Sequence, residues 1–211
     1  MTEAWKFSWD RGRAEVSALA GTLAPVDFIL GDGRSVQPFA IAPWGDDVSP
    51  EHDALPGVLK RLRGEWACVP FGMPEPMAHL PEDWRPSPVA LGYPEDFHGH
   101  SSNQEWTRTG ERPGGIDLVL EYPEGHPVGR VRRSISGRPG QSALDLALTV
   151  EARADTQLPL GVHPTFRLPA EPGQASLRFD APVTGYTYPV PAEPGVSRFV
   201  PDARGVPLEA I

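Results

Sequence analysis

The chain has 211 residues, enough to bury a core, and its proportions of hydrophobic and charged residues are those of a soluble globular protein. A formal net charge of -9 argues against binding to nucleic acid or to an anionic membrane surface, because phosphate groups attract basic patches. Its 26 prolines and 22 glycines exclude long helices and favour short strands joined by turns.

Strands are predicted wherever apolar and polar residues alternate, since successive side chains of a strand point to opposite faces. The predicted strands cover residues 4–9, two strands with a tight turn within 14–33, and residues 115–122, 129–137, 142–153, 157–161, 174–180 and 184–189. Residues 50–62 are the best helical candidate, a turn or two interrupted by Pro56. A Pro-rich connection over residues 70–97 carries Trp84 and is long enough to be functional or disordered.

Strands without crossover helices pack sheet on sheet, so we expect an all-β fold, an antiparallel β-sandwich, in a single domain over residues 1–211. The chain stops at Ile211 in what resembles the start of another strand. We therefore expect either a fragment, incomplete at the C-terminus, or a sandwich that another subunit completes, and homo-oligomerisation stays open.

The cellular location is predicted from three absences. No stretch approaches the ~18 apolar residues of a membrane span, and the N-terminus lacks the pattern of a signal peptide. The single cysteine, Cys68, cannot form an intrachain disulfide. These features predict a cytoplasmic protein.

The stretch "DFHGHSSNQEW" (96–106) is the first candidate site. His98 and His100 are two residues apart, which predicts that both point to one face of a strand, and Glu105 follows. This spacing partly resembles the first metal-binding motif of the cupins. A second cupin motif is not matched, because "PLGVH" has one residue too few before His163. A divalent metal held by His98, His100 and Glu105 is thus one hypothesis, and a polar turn is the other.

Four stretches in order resemble the galactose mutarotase-like proteins, which include the aldose 1-epimerases. They are "PFAIAPW" (38–44), "LRGEWACVPFG" (62–72), "HGHSSNQEW" (98–106) and "GVHPTFRLP" (161–169). The resemblance spans residues 38–169. It implies a mutarotase-like supersandwich, a small-molecule carbohydrate as ligand, interconversion of sugar anomers, and no cofactor.

The resemblance also implies roles for individual residues. His163 matches the histidine that protonates the sugar ring oxygen, and His98 matches the one that binds the neighbouring hydroxyl. Arg63 matches a basic residue that holds hydroxyls through its planar guanidinium. Trp106 and Phe166 would offer apolar faces to the sugar ring.

The catalytic base is where this chain departs from the family pattern. Family members use a glutamate far downstream of the second histidine, and only Glu171, Glu193 and Glu209 follow His163 here. Three functions therefore stay open: an aldose 1-epimerase whose base is not identifiable, a cupin-like metal-binding protein, and a sugar-binding module without catalysis. The sequence does not indicate which sugar is bound or whether it is phosphorylated.

Overall fold

The computed structural model describes residues 3–47, 49–72, 96–171, 173–176, 178–180, 183–187 and 203–207. Its helical elements, within these ranges, are 3-10 turns at Pro50–His52, Gly57–Arg61 and His100–Ser102. No described helix is long and apolar enough to cross a membrane. The helical candidate at 50–62 thus forms two short turns, and Pro56 is the residue that caps the second.

The described strands are numbered in chain order. They are β1 (Ala4–Trp9), β2 (Gly12–Ser17), β3 (Leu23–Ile29), β4 (Ser35–Val36), β5 (Glu65–Cys68), β6 (Thr107–Arg112), β7 (Gly115–Glu121), β8 (Val128–Gly137), β9 (Leu144–Ala152), β10 (Gly161–Pro164), β11 (Thr184–Tyr186) and β12 (Arg204–Pro207).

Two antiparallel sheets form the body of the fold. The larger has the order β1-β2-β3-β5-β10, with β4 paired to β3, and the smaller has the order β6-β7-β8-β9. Apolar residues of both sheets, among them Val16, Val26, Leu118 and Ile135, belong to one buried cluster. The expected all-β antiparallel fold is confirmed.

Strand β5 divides its side chains between the two faces of the larger sheet. Ala67 belongs to the core shared with the smaller sheet, whereas Trp66 and Cys68 belong to a separate cluster with Val58. This alternation follows from the period of two along a strand. The outward cluster lies directly beneath the candidate site.

A buried ion pair joins the two sheets across the core. Arg133 occupies a core-facing position of β8 between Val131 and Ile135, and its guanidinium donates to the carboxylate of Glu65 on β5. The exposed fractions of the two side chains are 2% and 3%. Arg133 also donates to the carbonyl oxygen of Gly21, 2.6 Å away.

The chain divides into two compact units, Met1–Glu75 with Val89–Leu168 and Pro76–Pro88 with Pro169–Ile211. The larger sheet and the smaller sheet both belong to the first unit, and the two-stranded sheet of β11 and β12 belongs to the second. The single domain expected over residues 1–211 stays a prediction, because two compact units can belong to one folding domain.

Most of the strands predicted from sequence are present. Two of the predicted strands are wrong within the described residues: residues 157–160 are irregular and the strand begins at Gly161, and no strand forms in the described part of 174–180. Pro159 explains the first, since its backbone has no N–H to donate to a ladder. Most of the Pro-rich connection, including Trp84, lies outside the described residues.

Candidate functional site

His163 lies on β10, the last strand of the larger sheet in the described order. It pairs with Trp66 of β5 in antiparallel register, so the two side chains share the outward face. The imidazole stacks on the indole with ring centroids 4.2 Å apart and planes 10° apart. Because Trp66 is itself only 2% exposed, its indole is a rigid surface on which the imidazole of His163 packs.

His98 is held in place by the backbone reversal that precedes the 3-10 turn at His100–Ser102. Its φ is +56° and that of Gly99 is +77°, so the backbone reverses here instead of continuing as a strand. A Cβ at position 99 would lie 2.4 Å from the carbonyl oxygen of Val69, which explains the glycine. The hydroxyl of Ser102 donates to the carbonyl oxygen of His98 at 2.7 Å.

The two histidines, which lie far apart in sequence, come together in the structure. Their ring centroids are 5.2 Å apart and the rings meet edge to face, with an interplanar angle of 67°. His98 is 8% exposed and His163 is half-buried. The pair therefore forms one cluster on the outward face of the larger sheet.

The tautomer of His98 follows from its hydrogen bonds. The backbone N–H of Gly72 donates to Nδ1 of His98 at 3.2 Å, and the N–H of His98 donates to the carbonyl oxygen of Gly72 at 2.8 Å. An Nδ1 that accepts carries no hydrogen, so the neutral ring holds its proton on Nε2. His98 is thus arranged to donate a hydrogen bond from Nε2.

Burial, and secondarily the charge of His163, lower the pKa of His98 below its ordinary value. Protonation of His98 would also require Nδ1 to give up the bond from Gly72. His98 is therefore uncharged at neutral pH. Unlike Nδ1 of His98, the buried Nδ1 of His163 has no hydrogen-bond partner among the described residues.

Phe71 is an exposed residue near the two histidines for which the sequence predicted no role. Its ring centroid lies 4.9 Å from that of His98 and 6.3 Å from that of His163, and the side chain is 42% exposed. The signal was present, since Phe71 is the centre of the Pro-Phe-Gly turn in the second of the four stretches. Of that stretch, only Arg63 was expected to contact a sugar.

Arg63 is buried and its guanidinium is already engaged. Its Nη2 donates to the carbonyl oxygen of Gly45 and, at 2.6 Å, to Oδ1 of Asp46, while Nε donates to the carbonyl oxygen of Arg61 at 3.2 Å. These bonds anchor the loop at residues 45–46. A role for Arg63 in holding sugar hydroxyls stays a prediction.

The two aromatic platforms expected from sequence, Trp106 and Phe166, differ in exposure. Trp106 is 2% exposed within the core, and its indole N–H donates to the carbonyl oxygen of Ser101 at 2.9 Å. An indole so buried presents no face to a ligand. Phe166 is 59% exposed, and among the described residues its ring stacks on Phe39, with centroids 5.7 Å apart.

The alternative metal site is wrong. His98 and His100 do not share a face, because the positive φ values at His98 and Gly99 break the strand alternation that the prediction assumed. His100 turns instead toward Tyr122, at 4.8 Å between ring centroids, and Glu105 is exposed. In the part of the chain that the structure describes, no three His, Cys, Asp or Glu side chains are grouped to hold a metal.

Solved structures similar to this chain were found by comparison. A galactose mutarotase-like protein from Lactobacillus casei ATCC 334 matches with a TM-score of 0.53 at 13% identity, over 81% of this chain and 52% of that chain. An Escherichia coli K12 protein, named as a proposed aldose 1-epimerase, gives a TM-score of 0.49 at 17% identity, over 80% of this chain and 53% of that chain. The chain thus spans about half the length of both structures. No protein-family model matches the chain, and no curated protein matches its sequence. At such identities the similarity concerns the fold alone, and the fold of this chain is galactose mutarotase-like.

Proposed function

We propose that the chain binds a small pyranose at His98, His163 and the neighbouring exposed surface. We further propose that the protein interconverts the anomers of that sugar as an aldose 1-epimerase. The observation that carries the proposal is the pair of imidazoles 5.2 Å apart on the outward face of a mutarotase-like sheet. The buried lone thiol of Cys68 fits the reducing cytoplasm in which we place the protein.

The two histidines are suited to different tasks. Opening the sugar ring requires a proton for the ring oxygen and removal of the proton from the C1 hydroxyl. His98, uncharged and protonated at Nε2, is suited to donate a hydrogen bond to a hydroxyl without moving a proton. His163 is then the imidazole that carries the mobile proton and delivers it to the ring oxygen.

The base for the C1 hydroxyl is not identified among the described residues. Glu171 is exposed, and Glu193 and Glu209 lie outside the residues that the structure describes. This supports a second candidate function, a sugar-binding module that does not turn its ligand over. The two candidates share the binding site and differ only in the base.

Binding and turnover are tested separately. Saturation-transfer NMR with glucose, galactose and their 6-phosphates should give signals with the wild-type protein, and the absence of signals with all four would refute both candidates. Polarimetry of freshly dissolved α-glucose and α-galactose then separates an enzyme from a binder, because only an enzyme shortens the approach to anomeric equilibrium.

For the enzyme, His163→Ala should abolish the accelerated mutarotation, since general acid catalysis contributes about 10²–10⁴-fold. The matched control is His52→Ala, which removes an imidazole of the 3-10 turn Pro50–His52 that is bonded to Asp47 at 3.2 Å. Circular dichroism should show both variants folded. Wild-type turnover in His163→Ala would mean that His163 is not the acid.

A further inference from the structure

Phe71 is an aromatic residue of the first compact unit that is exposed and yet held in place. Its backbone N–H donates to the carbonyl oxygen of Pro159 at 2.7 Å, and its ring lies beside the rings of His98 and His163. An aromatic ring left 42% exposed forgoes the stabilisation that burial would give it. Such a ring next to two hydrogen-bonding imidazoles is typical of a ligand contact.

Gly161 makes room for this ring. A Cβ at Gly161 would lie 2.8 Å from Cδ2 and 3.2 Å from Cγ of Phe71, closer than van der Waals contact allows. Gly161 is also two residues before His163 on β10, so the two positions share the outward face. The glycine is explained by the phenyl ring, because its φ lies outside the left-handed region that favours glycine.

We infer that Phe71 is the sugar platform, that is, the ring against which the C–H face of the sugar packs. Gly161, which has no Cβ, leaves the space in which this ring lies. This inference rests on the proposed function and adds a specificity-determining residue to it. The planes of His98 and His163 are tilted by 38° and 31° from that of the phenyl ring. A pyranose lying on Phe71 would therefore present the hydroxyls at its edge to the imidazoles.

The platform also defines the class of ligand. A closed pyranose has a rigid face of C–H groups that covers an aromatic ring, whereas an acyclic polyol with the same hydroxyls has no such face. Glucose and galactose should therefore bind, and sorbitol and galactitol should bind at least tenfold more weakly. Equal binding of the polyols would overturn the platform.

The experiment uses Phe71→Ala, Gly161→Ala and the double variant, with Phe179→Ala as the matched control. Phe179 is 46% exposed, close to the 42% of Phe71, and belongs to the other compact unit. Dissociation constants for glucose and galactose are measured by NMR titration, and thermal unfolding shows that each variant is folded.

Phe71→Ala should weaken binding by about tenfold, the scale of one lost aromatic contact. Gly161→Ala should weaken it too, because its new methyl group displaces the ring, and the double variant should bind no more weakly than Phe71→Ala alone. Phe179→Ala should bind like the wild type. The saturation-transfer signals should be strongest at the C–H protons of one sugar face.

Unchanged binding in Phe71→Ala, with sugar still bound by the wild type, would overturn the platform and leave the proposed function standing. A loss of binding confined to Phe166→Ala would also overturn it, in favour of the aromatic residue expected from sequence. If the wild-type protein binds none of the four sugars, neither glucose and galactose nor their 6-phosphates, the proposed function fails and the platform fails with it.

Discussion

Removing the charge of Glu65 should destabilise the fold more than any single surface change. The substitution Glu65→Gln keeps the volume of the side chain but leaves the guanidinium of Arg133 buried without its counter-charge. The two side chains are 3% and 2% exposed, so water cannot replace the lost partner. Breaking a buried ion pair in this way costs about 3–5 kcal/mol.

The expected shift in melting temperature follows from the size of the chain. For domains of roughly 150–250 residues, each kcal/mol lowers the Tm by about 2–4 °C. A loss of 3–5 kcal/mol therefore predicts a Tm lower by about 6–20 °C. Urea unfolding followed by circular dichroism should show a lower midpoint with an unchanged slope, because the surface exposed on unfolding is the same.

Two controls separate the loss of pairing from other effects. Replacing both partners, in Glu65→Leu with Arg133→Met, should restore much of the stability, since a buried pair replaced by apolar residues is often neutral or stabilising. Asp145→Asn breaks the exposed pair with Arg138 and should leave the midpoint unchanged. The reasoning is refuted if Glu65→Gln unfolds at the wild-type temperature, or if the double variant is as unstable as the single one.

Three further predictions concern buried groups. Burial, and secondarily a neighbouring imidazole, lower the pKa values of His98 and His100. The unfolded chain therefore binds more protons than the folded protein below about pH 6.5, and the free energy of unfolding should fall as the pH drops through this range. His98→Gln should make this pH dependence weaker in urea titrations. Burial raises the pKa of the Cys68 thiol to about 11, so iodoacetamide should react with it slowly in the native protein and fast in urea; equal rates would contradict its burial. Trp106→Ala should lower the free energy of unfolding, measured in urea, by about 3–5 kcal/mol, because it leaves a cavity in the core where the indole was. A decrease below about 1 kcal/mol would place Trp106 outside the core.

Much of the fold could be predicted because its strands alternate cleanly. The hairpin of β7 and β8 is an example: Ile116 and Ile135 face each other in register, as do Leu120 and Val131. The same alternation puts Arg133 on the core face, and the sequence alone does not show which residue meets it. Its partner Glu65 comes from a distant strand of the other sheet, so only tertiary packing reveals the ion pair.

The candidate site was harder to predict because backbone reversals decide it. The pairing of His98 with His163 followed from the resemblance, but the shared face for His98 and His100 assumed a strand. Because the backbone at His98 and Gly99 is left-handed, the imidazoles of His98 and His100 point in different directions. Phe71 was missed for a similar reason, since its position depends on a close approach to Gly161 that no periodicity indicates.

Strand β5 explains why the stability and the proposed chemistry can be tested independently. Glu65 and Ala67 face the smaller sheet, where they stabilise the sandwich, whereas Trp66 faces outward and supports the imidazole of His163. A change at Glu65 therefore acts on the core. A change at His163 or Phe71 removes a side chain that is partly exposed and outside that core. Loss of sugar binding in these two variants would thus report on the site itself, provided that their unfolding midpoints stay near that of the wild type.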